Sequence, residues 1–81
     1  NDLAREWVTQ ERLRHVVDAL TASGIAVRDE RAIPDIVNQM IQDVLREAGD
    51  EVPDTRENRR AVGHAAVTLF KAFLRGERSL V

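Results

Sequence analysis

The sequence contains no cysteine, which removes disulfide bridges, thiolate metal sites and a cysteine nucleophile from the available chemistry. No apolar run approaches the ~18–20 residues of a membrane span, and the N-terminus lacks the basic region and apolar stretch of a secretory leader. A cytoplasmic protein without a membrane partner is the expectation. Lysine is almost missing: eleven of the twelve cations are arginine and Lys71 is the exception, a bias that GC-rich codon usage explains as well as binding does. Absent too are a metal motif of the H-E-x-x-H kind and a glycine-rich loop after a strand. The two histidines fall on different segments, His15 beside Glu11 and Asp18 at helical spacing and His64 among arginines, a pattern of surface pairs rather than of catalysis. Such a short chain leaves little room for a pocket of ~300 Å³ or more, so no catalytic, cofactor or metal residue is assigned and an enzyme is not expected.

What is present is a balance of 43% apolar and 32% charged residues over 81 positions, which places the chain among packed globular domains rather than disordered tails. One helical domain over residues 1–81 is expected, and the start at Asn1 rather than methionine points to a piece of a longer protein. A stability of about 4–12 kcal/mol follows from the length, small enough for self-association or a partner to contribute to it.

The strongest periodicity is Ile33, Ile36, Val37, Met40, Ile41, Val44, Leu45 and Ala48, the stripe of an amphipathic helix over about 30–48. Pro34 fits only its opening turn, and Gly49 reads as a left-handed terminal cap. Val62, Ala65, Ala66, Leu69, Phe70, Phe73 and Leu74 repeat the pattern over about 55–75, with Asp54 and Glu57 at the spacing of a capping box and Gly76 at the end. Leu13, Val16, Val17 and Leu20 define an earlier helix over about 9–23 that Gly24 ends. Trp7 and Val8 fall off that face, so either the helix breaks near Thr9, with Thr9 as cap and a short extra helix before it, or Trp7 makes a contact outside the main core. The expected fold is all-α, a small three-helix bundle.

Displaced by 25 residues, the chain repeats Asp18, Leu20, Gly24, Val27, Asp29, Arg31 and Val37 as Asp43, Leu45, Gly49, Val52, Asp54, Arg56 and Val62. Tandem helical hairpins would produce this, and so would the general habit of helices to start at Asp and stop at Gly. In either case Val27 and Val52 should reach the core and Asp29 and Asp54 should cap.

Charge is unevenly spread: residues 1–53 hold six arginines against eleven acids, a net of −5, while residues 54–81 hold six cations against three acids, a net of +3. On the third long helix Arg60, His64, Lys71, Arg75 and Arg78 fall within about 60° of one another at 100° per residue, a basic ridge opposite the apolar stripe that Glu57 on the same face weakens. A pI near 5.6 and the lack of interleaved aromatics count against nucleic acid. Two DNA-binding arrangements fit poorly. A strand at Ile25–Val27 leading two helices has too few alternating positions, and Gly24 to Ile33 is too long for a helix-turn-helix turn. The second long helix carries an uncharged patch, Asn38, Gln39 and Gln42, of the kind interfaces favour.

These features predict a non-enzymatic protein-protein interaction or oligomerisation module in a regulatory or assembly role, with a homodimer expected and Trp7, Phe70, Phe73 and Leu74 as contact residues. The alternative is a DNA-binding transcriptional regulator or accessory factor that sets Arg56, Arg59, Arg60, Lys71 and Arg75 against phosphate.

Overall fold

A computed structural model describes residues 2–76 of the chain, and four α-helices account for most of them: α1 Asp2–Glu6, α2 Gln10–Ala22, α3 Ile33–Ala48 and α4 Arg56–Leu74. Among the described residues there is no strand, and no helix is long and apolar enough to cross a membrane. The all-α bundle of three long helices is as the periodicities predict, with bounds shifted by one to three residues.

The break before α2 is real. Thr9 adopts extended backbone (φ −118°, ψ 165°) and its Oγ1 accepts the Arg12 N–H at 3.1 Å, satisfying one of the orphan donors of the first turn. The preceding turn is fastened by a single side chain, Arg12, only 16% exposed. Its Nε donates to the Trp7 carbonyl at 2.9 Å, its guanidinium lies 5.6 Å from the centroid of the indole, and its Nη2 pairs with Glu47 of α3 at 3.0 Å. Trp7 is thereby held half-buried against the core rather than projecting from it.

Ahead of α3 the chain makes a 3-10 turn, Glu30–Ala32, in place of the first α turn expected at residue 30. Asp29 caps that turn, its Oδ1 accepting the Arg31 N–H at 2.9 Å, and Pro34 stands in the opening turn of α3, where its missing N–H costs nothing. Gly49 ends α3 at φ 57°, ψ −128°, the mirror image of the β region rather than the left-handed helical region, a conformation that only glycine adopts readily. The Asp54–Glu57 capping box is not formed. Thr55 is the cap of α4, accepting the Asn58 N–H at 3.0 Å, and Asp54 pairs with Arg59 instead. Asn58, 5% exposed, donates its side-chain amide to the Pro53 carbonyl at 2.9 Å, which closes the same corner from inside.

The two halves of the 25-residue repeat therefore differ. Asp29 bonds two residues on and Asp54 five; Asp18 is exposed while Asp43 is 3% exposed and accepts from Gln39 and Arg46. Val52 is buried and Val27 half-buried, both packed on the core as expected.

Leu13, Val16 and Leu20 of α2, Ile36, Met40 and Val44 of α3, and Val62, Ala66 and Phe70 of α4 form the core, with Ala4 of α1 sealed against it. Each large side chain so buried contributes about 1.5–3 kcal/mol. The tightest meeting is between α3 and α4. A β-carbon on the buried Gly63 would lie 3.2 Å from Val37 Cγ1 and 3.7 Å from Ile41 Cδ1, so the missing side chain is what lets the α3 face settle on α4. Gly63→Ala gains about 1 kcal/mol of helix propensity and loses a similar amount to crowding of Val37, leaving stability within about 1 kcal/mol. Gly63→Ile forces the helices apart and costs about 1–3 kcal/mol in urea unfolding; an isoleucine variant as stable as the parent would mean that α3 and α4 do not approach in this way.

Candidate interaction surface

Along α4 the residues Arg56, Arg60, Gly63, Val67, Lys71 and Leu74 recur at steps of three and four and occupy an arc of about 80°. On α3, Val37, Ile41 and Leu45 recur at steps of four. Because Val37 and Ile41 close over Gly63, the two lines meet edge to edge. Val37, Ile41, Leu45, Val67 and Leu74 are each half-buried, so the junction is an apolar seam that solvent still reaches.

The other helices lie elsewhere around α4. Its core arc, Val62, Ala66 and Phe70, faces inward. Beyond that arc, on the flank away from the seam, α1 packs and leaves a groove of about 500 Å³ whose lining includes Arg5, Val8, His64, Leu69 and Arg75. The basic ridge is accordingly split. Arg60 and Lys71 edge the seam on its outer side, with Arg56 in line with it ahead of Gly63; His64 and Arg75 line the α1 groove, and Arg78 lies outside the described residues.

The arginines also differ in their partners. Arg59 is tied to Asp54, Nη2 to Oδ2 at 3.0 Å, and Arg31 to Asp29 at the same distance. The Arg59 guanidinium, by its hydrogen bond first and its charge second, holds the Asp54 carboxyl below the usual carboxylate range, and Arg31 does the same to Asp29 through side-chain and backbone hydrogen bonds. Among the described residues, no ion pair engages Arg56, Arg60 or Lys71. On the α3 side, the border of the seam is Asn38 and Gln42, exposed and uncharged; Gln39 turns away to donate to Asp43 at 3.1 Å.

The contact candidates Trp7, Phe70, Phe73 and Leu74 are dispersed. Phe70 is fully buried in the core, and Phe73 packs on it with ring centroids 6.1 Å apart. Leu74 falls on the seam in the last turn of α4, whereas Trp7 sits under Arg12 in a recess with Leu3, Glu6, Thr9 and Glu51. His15 lines a separate recess of about 250 Å³ with Thr9, Glu11, Arg12 and Glu47. The described residues hold no group of three or more metal-ligating side chains.

The sequence periodicity places Val37, Ile41 and Leu45 in the apolar stripe of α3, where Ile41 and Leu45 do pack on the core, but it singles out neither Val67 nor Gly63. A glycine inside an otherwise helical pattern marks a close approach of backbones, and Gly63 carried that signal.

The pairing of Asp54 sets a pH dependence. Its folded-state pKa is lowered, so its contribution is complete above the ordinary aspartate value and disappears as the pH falls through the depressed one. In a carboxyl-detected NMR titration Arg59→Gln should return the Asp54 midpoint upward to the ordinary aspartate range; an unchanged midpoint would remove Arg59 as the cause.

No family model matches the chain, and no curated protein or solved structure matches it either.

Proposed function

We propose that this chain is a non-enzymatic protein-interaction module in a regulatory or assembly role, and that the α3–α4 seam is where the partner docks. One observation carries the reading: Val37, Ile41, Leu45, Val67 and Leu74, each half-buried and apolar, lie on lines of α3 and α4 that meet at Gly63, beside three cations that no ion pair engages among the described residues. An apolar strip of this shape accepts side chains at helical spacing, and a charged border supplies orientation. Of the contact candidates, Phe70 is committed to the core and drops out, and Leu74 remains as a contact.

DNA contact is the second reading, favoured by the alignment of Arg56, Arg60 and Lys71 over about 22 Å of helix. Arg59 is engaged by Asp54, and the apolar positions between the cations offer nothing to phosphate.

Photo-cross-linking tests the docking surface. With p-benzoylphenylalanine in place of Val67, irradiation in an extract of the source cells should give a discrete protein adduct that excess unlabelled chain suppresses. The same probe in place of Ala19, exposed on α2, should give none. Equal yields from both positions, or none from Val67, would reject the seam as the docking surface.

A further inference from the structure

On the reading that the seam docks a protein, we infer that its occupant is an amphipathic helix with acidic residues along one flank only, and not a second copy of this chain. The borders of the seam are unequal. The α4 side presents Arg56, Arg60 and Lys71 with no ion pair among the described residues, while the α3 side presents Asn38 and Gln42. A helix laid along the strip therefore meets positive charge on one flank and uncharged polar groups on the other. Arg60 and Lys71 are eleven residues apart on α4, about 16 Å. The complementary helix carries carboxylates at two places about eleven residues apart on that flank, with apolar anchors between at steps of three and four.

A second copy fails the charge requirement. In an antiparallel two-fold pairing of α4 about Val67, Arg60 of one copy approaches Lys71 of the other to on the order of 10 Å, given interaxial distances of about 8–10 Å. In parallel two-fold pairing the cationic flank of each copy faces the uncharged Asn38 and Gln42 flank of the other, which offers no carboxylate. No acid on the α4 line, whose members are Arg56, Arg60, Gly63, Val67, Lys71 and Leu74, relieves the antiparallel arrangement; Glu57, one turn from Arg60, lies off that line. Like charges juxtaposed across an interface select against that partner.

The test uses three fluorescein-labelled helical peptides of about 18 residues with the same leucine stripe: glutamates on one flank and glutamines on the other, lysines in place of the glutamates, and glutamines on both flanks. Anisotropy at about 50 mM and 200 mM salt should show saturable binding of the glutamate peptide, at least about tenfold tighter than the other two and weakened by salt. Arg60→Glu with Lys71→Glu, checked for unchanged helicity by circular dichroism, should reverse the preference toward the lysine peptide. Equal affinity for all three peptides, or binding of none, overturns the acidic helix. A Val67 adduct in the cross-linking experiment would then still stand for the docking surface itself. Binding of a labelled mixed-sequence DNA duplex more tightly than the glutamate peptide, lost in the same double variant, overturns it in favour of phosphate. A dimer in light scattering that Val67→Asp dissociates overturns it in favour of self-association.

Discussion

The architecture depends on the absence of a side chain at one position. Gly63 lies in the middle of α4, buried, where a β-carbon would press on Val37 at 3.2 Å. The absence of that atom leaves room for Val37 and Ile41 to lie against the α4 backbone where the two longest helices share a core. Ile36, Met40 and Val44 then face Val62, Ala66 and Phe70, and α2 completes the enclosure with Leu13, Val16 and Leu20. The same approach has an outward consequence. The residues just outside the junction keep partial exposure beside it.

Polar groups then distribute into those that hold the fold and those that remain available. Arg12 ties the α1–α2 corner to α3 through a carbonyl, an indole face and Glu47. Asp43, nearly buried, is satisfied by Gln39 and Arg46, the second at 2.7 Å. No buried side-chain nitrogen or oxygen of the described residues lacks a partner, as the cost of an unpaired buried polar group requires. Arg31 and Arg59 serve exposed turns beside helix starts. Arg56, Arg60 and Lys71 serve none of these purposes, and they lie on one line beside the apolar seam.

The helices were legible because their signals are local. The stripe from Ile33 to Ala48 and that from Val62 to Leu74 need nothing beyond 3.6-residue periodicity, and Thr9 announced its cap by chemistry alone. The details that were not legible are decided by competition or by tertiary packing. Asp54 and Thr55 are adjacent and both suited to cap α4; the hydroxyl wins because the carboxylate is drawn to Arg59. Phe70 and Phe73 look alike as sequence, yet one is sealed in the core and the other half-exposed, since three residues turn the chain by about 300° and place them at different depths. Which flank of a stripe stays open depends on where the other helices pack, and Val67 keeps partial exposure where Phe70, three residues on, keeps none.

The central claim is that the α3–α4 seam is open in the free chain. Methyl-labelled protein in the presence of a soluble paramagnetic agent tests it directly, read as a function of protein concentration. Strong relaxation of the Val37, Ile41, Leu45 and Val67 methyls at every concentration, with Val16, Val44 and Val62 protected, is the predicted result. Protection of the seam methyls to the same degree as Val44, or protection that disappears only on dilution, would mean that the seam is covered by the chain itself or by its own copy, and would contradict the account.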